Sequence, residues 1–219
     1  MTPNQAEQLL NGFLSRVVSS LGFSRITDGR YGRPEHDATA ILSFPLRFSA
    51  HGLGVFTIWV TLRYESLARW LDDKDESVAN PTTIMPIHLL HEDKNFVEWK
   101  FSNAEELESS REAVLGELRS YAMPFIERYA KLPELRKALE SHNKQDWFDI
   151  GLNVDTRVTT LAAIQMVEGD KAGAIKTLDC GIKLLGESLA DRPETLRRIE
   201  LRKRSRDMEN LRKRLLAND

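Results

Sequence analysis

The histidines, acidic clusters, glycine-rich segments and lone cysteine are the residues here whose type and spacing bear on chemistry. His88-Leu89-Leu90-His91, followed by Glu92-Asp93, is the densest set of ligand-type side chains. On a helix a three-residue spacing brings both imidazoles to one face, as a bound metal requires. The surrounding pattern predicts instead a strand ending in a turn, with the two rings on opposite faces. The reading is therefore a pair of ordinary strand-end histidines, with no metal site. Asp73, Asp75 and Ser77 have the alternate spacing that opens a calcium-binding loop. Val78 then stands where that loop needs glycine, and Ile84 where it needs a bidentate carboxylate. A solvated acidic loop is expected, able at most to meet a basic partner.

No nucleophile elbow is present, and Cys180 falls within an apolar helical pattern, which predicts a small core residue. Gly29-Arg30-Tyr31-Gly32-Arg33 lacks the Lys-Ser/Thr of a phosphate-binding loop and the spacing of a dinucleotide fingerprint. It reads as a flexible turn presenting Arg30 and Arg33. No catalytic, cofactor-binding or metal-ligating residue is assigned, no cofactor is expected, and an enzyme is the less favoured class. An enzymatic alternative would need a pocket near His51, Arg63 and His88.

Two sets of side chains point to binding. Trp59, Thr61 and Arg63 share the less apolar face of the strongest strand, with His51 and Trp70 as candidate borders. Open to water, that face is an aromatic–guanidinium patch of the kind enriched at interaction hot spots. Covered by a second layer, it makes Trp59 a core residue and Arg63 a rim residue, and both readings stay open. The second set is Arg197, Arg198, Arg202, Lys203, Arg204 and Arg206, continued by Arg212, Lys213 and Arg214. The first reading is a solvated helix packed by one narrow seam. The second is a partner helix, including a homodimer through the seven-residue spacing of Leu201, Met208 and Leu215. A grip on nucleic acid comes third, because Glu200, Asp207 and Glu209 dilute the field.

Composition bounds these choices. At 219 residues and 41% hydrophobic the chain can build a packed core, which excludes wholesale disorder. Its 31 Lys plus Arg against 33 Asp plus Glu argue against a chain basic throughout, and so against a dedicated nucleic-acid binder. From residue 191 onward, however, ten basic residues meet six acidic ones, so a basic end sits on an acidic body. One cysteine excludes an internal disulfide framework. No apolar run approaches the ~20 residues of a membrane span. Met1-Thr2-Pro3-Asn4-Gln5 lacks the basic start and apolar stretch of a signal peptide. A soluble cytoplasmic protein with no membrane partner is expected.

The elements that must position these groups read as α+β. Thr2, Pro3 and Gln5 start an amphipathic helix whose stripe runs from Leu9 to Leu21, and Gly22 ends it. Period-two alternation predicts a strand over Val55–Tyr64 and another over Ala40–Phe44, forming a hairpin. Ile84–Leu90 and Phe96–Phe101 read as a second hairpin, giving an antiparallel sheet of about four or five strands. Between the hairpins, Glu65–Leu71 reads as a short helix. Ser102 and Glu105 open a long helix that Pro124 kinks. Residues 1–141 are taken as an α+β domain and residues 142–219 as a helical extension. That extension comprises a helical hairpin at 152–188 and a basic terminal helix at 192–217.

In the hairpin, Leu161-Ala162, Gly169-Asp170, Ala174, Leu178 and Gly181 have a spacing that resembles a single tetratricopeptide repeat. Residues 9–139 resemble the uncharacterised bacterial domain of unknown function numbered 4304. The likeness lies in Leu21-Gly22-Phe23, in Phe44 followed by Val55-Phe56-Thr57-Ile58-Trp59-Val60, in Trp99, and in Met123-Pro124-Phe125-Ile126. That resemblance implies an α+β fold and a bacterial source, and carries no catalytic motif. It also implies a contextual association with toxin–immunity neighbourhoods. The expectation taken forward is a non-enzymatic protein-binding module, with an immunity-like role as one form of it and an unidentified protein partner.

Overall fold

The computed structural model describes residues 1–49, 52–68, 70–71, 83–93, 95–141, 154–190 and 196–217. The fold is α+β, and the chain separates into two compact units. One comprises Met1–Arg63 with Pro81–Leu135, the other Tyr64–Asn80 with Arg136–Asp219. The units are thus interleaved in sequence. The segment that starts at Tyr64 belongs with the C-terminal helices.

In the first unit, α1 (Pro3–Ser19) starts from the expected capping box. The Gln5 backbone N–H donates to Thr2 Oγ1 (3.3 Å), and the Thr2 N–H donates to Gln5 Oε1 (2.9 Å). Leu10, Phe13, Leu14, Val17 and Val18 form its buried stripe. Gly22 follows with φ +79°, a conformation that glycine adopts without penalty.

Among the described residues eight strands come next: β1 (Ser24–Thr27), β2 (Arg30–Glu35), β3 (Ala38–Ser43), β4 (Leu46–Phe48), β5 (Gly54–Phe56), β6 (Trp59–Arg63), β7 (Thr83–Pro86) and β8 (Trp99–Phe101). They form a five-stranded antiparallel sheet of order β1-β2-β3-β6-β7 and a three-stranded sheet of order β4-β5-β8. Three expectations change here. The long alternating run Val55–Tyr64 is two strands in two sheets, broken at Thr57-Ile58. Of Gly29–Arg33 only Gly29, at φ +65°, lies in a turn; Arg30 onward is strand β2, with Tyr31 fully buried. No hairpin joins Ile84–Leu90 to Phe96–Phe101: β7 pairs with β6, β8 pairs with β5, and Ile87–Leu90 is a 3-10 turn.

An aromatic chain ties the two sheets together. Tyr31 meets Phe44 edge-on at 6.0 Å between centroids, and Phe44 meets Phe56 at 6.4 Å. Phe56 stacks on Trp99 at 5.3 Å and meets Phe101 edge-on at 6.3 Å. Gly54 lies beneath Phe101, and a Cβ there would come within 2.6 Å of its ring. The inner face of the larger sheet is closed by α1, where the Tyr31 hydroxyl donates to the Asn11 carbonyl (3.1 Å).

The single long helix expected after Ser102 is three: α3 (Ala104–Ser109), α4 (Arg111–Glu117) and α5 (Met123–Tyr129). The N-cap is Asn103 rather than Ser102, its side chain accepting from the Glu106 N–H at 2.9 Å. The Glu106 carboxylate accepts from the backbone N–H (2.7 Å) and the hydroxyl (2.9 Å) of Ser102, the residue before the cap. Ahead of Pro124 the chain makes a π turn, Leu118–Ala122. That wider turn accommodates the donor that proline lacks. α6 (Leu132–Glu140) follows.

In the second unit, α2 (Glu65–Ala68), α7 (Val154–Val167), α8 (Lys171–Ala190) and α9 (Leu196–Ala217) are the described helices besides the end of α6. Gly169, at φ +84°, turns α7 into α8. A Cβ on Gly181 would stand 2.5 Å from Val158, so that glycine lets the two helices approach closely. Ala162, Ala174, Leu178 and Leu185 share a core with Met208, Leu211 and Leu215 of α9, and Trp70 packs against it. Met208 and Leu215, two members of the seven-residue seam, are therefore used inside the chain. Arg157 closes the end of α6, donating to the carbonyls of Leu139 (2.6 Å) and Ser141 (2.7 Å). Burial lowers the Arg157 pKa from its ordinary value.

Candidate binding site

The sheet register decides which side chains stand beside Trp59. Arg30 lies opposite Ser43, Ser43 opposite Trp59, and Trp59 opposite Pro86. Directly opposed residues share a face at roughly 4.5–5.5 Å per step. Four adjacent strands therefore present one row, Arg30–Ser43–Trp59–Pro86. Further along the same face Ile41 and Thr61 are buried, while Trp59 and Arg63 are half-buried. The Trp59 face is thus covered in its middle and accessible at the Trp59 end.

Two clefts meet at that end. The larger, about 580 Å³, is lined by Leu10 of α1, by Arg30, Ser43 and Trp59 of the row, and by Pro45 and Phe48. The smaller, about 240 Å³, is lined by Pro45, Arg47, Trp59, Pro86, His88 and Phe96. Phe48 and Phe96 are 39% and 59% exposed, so both clefts have an aromatic residue at the surface. The smaller is walled mainly by apolar side chains, whereas the larger also carries Glu7, Asn11 and Asp28 beside Arg30. The Trp59 indole N–H donates to Thr57 Oγ1 (3.3 Å), which orients the ring.

Charges near the clefts are unevenly occupied. Arg47 is paired with Glu98, whose second oxygen takes Lys100 at 3.0 Å. Those partners, Lys100 first, hold the Glu98 carboxyl below its usual pKa. Asp28 accepts from Arg25 and from the Asn11 amide (3.2 Å). Arg30 has no ion pair among the described residues and remains the cation of the larger cleft.

The sequence-assigned residues fall as follows. Trp59 is central to both clefts. Arg63, opposite Thr39, is four residues along β6, about 13 Å from Trp59 at the usual strand rise, and lines neither cleft. His88 lines the smaller of these two clefts. His51 lies outside the described residues, as do Asp73, Asp75 and Ser77. Trp70 belongs to the helical unit, where its carbonyl accepts from Arg214 (3.1 Å). Arg202, Lys203 and Arg206 are exposed on α9, and the side chains of Arg197, Arg198 and Arg204 lie outside the described set. Cys180 is exposed rather than in the core. The native chain should therefore consume one equivalent of Ellman's reagent without denaturant; a thiol that reacts only after unfolding contradicts the exposed placement.

The two histidines sit on the 3-10 turn and its C-terminal cap, not at a strand end. His91 Nε2 lies 2.6 Å from Glu117 Oε2, and its ring stacks on Tyr121 of the π turn at 3.8 Å. His88 meets Phe96 edge-on at 5.0 Å. Among the described residues no three His, Cys, Asp or Glu side chains converge as a metal site requires. Burial first, and the neighbouring His91 second, lower the His88 pKa below its ordinary value. The folded chain then takes that proton less readily than the unfolded chain. Its stabilising contribution is complete above the ordinary pKa of about 6.5 and is lost as pH falls below it. Urea midpoints from about pH 7.5 to about pH 5 should fall more steeply for the native chain than for His88→Gln. Parallel curves would remove this assignment.

Comparison of the chain with protein-family models, with curated proteins and with solved structures finds no match. No helix among the described residues is long and apolar enough to cross a membrane.

Proposed function

We propose that this chain is a non-enzymatic, cytoplasmic protein-binding module and that the Trp59 clefts are its contact face. The observation that carries the reading is the cross-strand row Arg30–Ser43–Trp59–Pro86 opening into two adjoining clefts. A half-buried tryptophan with a nearby guanidinium, exposed phenylalanines and proline walls has the composition of an interaction hot spot. The partner's contribution is an apolar anchor for the cleft, flanked by a carboxylate for Arg30. An immunity-like role, in which one partner protein is held stoichiometrically, is one form of this reading.

The test places the photo-crosslinking residue p-benzoylphenylalanine at Phe48 and irradiates cells of the source organism. One protein should be captured, and the same capture should disappear in a Trp59→Ala background that still folds. Capture indifferent to Trp59, or no capture from Phe48 at all, sinks the proposal.

A further inference from the structure

Strand β4 is an edge of its sheet: among the described residues β5 lies on one side of it and no strand on the other. The Ser49 N–H donates to the Leu53 carbonyl (3.0 Å), in the register that continues through Phe48–Gly54, Arg47–Val55 and Leu46–Phe56. Hydrogen-bonded and open pairs alternate along antiparallel strands. Arg47 therefore bonds to β5, while the N–H and C=O of Leu46 and Phe48 point out of the edge. Among the described residues no other backbone group bonds to those four. β1, another edge, is interrupted by a register shift between Arg25 and Thr27, which blunts it. The register of β4 is unbroken.

The two clefts lie on that open side, since both are bordered by residues of β4 and neither by a residue of β5. Phe48 borders only the larger, and Arg47, on the opposite face of the strand, only the smaller. We propose that an extended segment of the partner protein adds to β4 as a further antiparallel strand. This rests on the reading of the Trp59 clefts as the contact face, and it names the form of partner that fits them. Side chains alternate between the faces of a strand, so successive residues of the segment enter the two clefts in turn. Those opposite Leu46 and Phe48 are apolar and pack against Leu10, Phe44 and Trp59 of the larger cleft. The residue between them, opposite Arg47, is acidic, because Arg47 and Lys100 share the one carboxylate of Glu98 and leave a cation in excess. Backbone groups give such an added strand its affinity, and the alternate pockets its specificity. A second copy of this chain fits worse: the two-fold pairing that uses all four open groups sets the two Arg47 side chains directly opposite each other.

The experiment pans phage-displayed random dodecapeptides on the immobilised full chain, then titrates a synthetic copy of the most enriched sequence by fluorescence anisotropy. Enriched peptides should share an apolar–acidic–apolar triplet. Methylating the backbone nitrogens of both apolar residues, which donate to the Leu46 and Phe48 carbonyls, should weaken binding about tenfold or more. Methylating the nitrogen of the acidic residue, which faces away from β4, should change Kd less than about twofold. Panning on Arg47→Glu, an exposed position at which the native circular dichroism should persist, should put lysine or arginine in place of the acid. No shared triplet, or equal losses from the two methylations, overturns strand addition. Peptides that need Trp59 but tolerate both methylations overturn it too, while leaving Trp59 as the contact. Peptides that fail on methylation but bind Trp59→Ala unchanged keep the added strand and remove the Trp59 face. Self-association of the chain that excludes the peptide assigns the edge to a second copy, and also overturns the proposal.

Discussion

Phe56→Ala should lower the unfolding free energy of the α+β unit by about 3–5 kcal/mol. Phe56 is fully buried and is the residue at which the aromatic chain branches, touching Phe44 on one side and Trp99 and Phe101 on the other. Its truncation removes the ring that joins the two sheets and leaves a void that neighbours in both must collapse to fill. Stabilities of single domains are only about 5–15 kcal/mol, so one such loss is a large part of the total. Urea unfolding followed by circular dichroism measures it. Phe56→Leu, which keeps most of the volume, should cost less than about 1.5 kcal/mol. Equal costs for the two variants would contradict the role given to the ring. The site feels the same change, because Phe44, the next ring along, lines the larger cleft.

Trp59→Ala has its largest effect on binding rather than on folding. Trp59 is half-buried and its indole is directed by Thr57 into the wall between two clefts. Truncating a hot-spot tryptophan costs on the order of 2 kcal/mol or more, about thirtyfold in Kd. Arg30→Ala, at the rim, should act mainly on the association rate and its salt dependence. Arg63→Ala should leave the affinity unchanged, because Arg63 lines neither cleft. Isothermal titration of the captured partner with the three variants separates these outcomes. A larger loss from Arg63→Ala than from Trp59→Ala would move the contact face along β6.

What could be read from the sequence was what local chemistry dictates. The Thr2–Gln5 box, the turn at Gly22 and the hairpin around Gly169 each depend on residues a few positions apart, and each appears where expected. Alternation over Phe56, Ile58, Val60 and Leu62 correctly placed those side chains in the core. Alternation reports which side of a strand is buried and says nothing about which strand lies beside it. The run could therefore switch sheets at Thr57-Ile58 without breaking its period. The same limit governs the site. Trp59 was legible as an aromatic residue on the mixed face, and Arg63 was its nearest arginine in sequence. The register sets Arg30 two strands away in the same row, and register between distant segments is not written in either segment. Cys180 misled for a related reason: an apolar stretch of α8 surrounds it, yet its own position on the helix faces outward.

The most direct test of the central claim is a hydrogen–deuterium exchange footprint of the chain alone and bound to the protein captured through Phe48. Binding should slow exchange in peptides covering Ser43–Phe48, Thr57–Val60 and Pro86–Leu90, which border the Trp59 clefts. Exchange in α7 and α8 should stay unchanged. Protection confined to those helices, with the three cleft segments exchanging as in the free chain, would contradict the account.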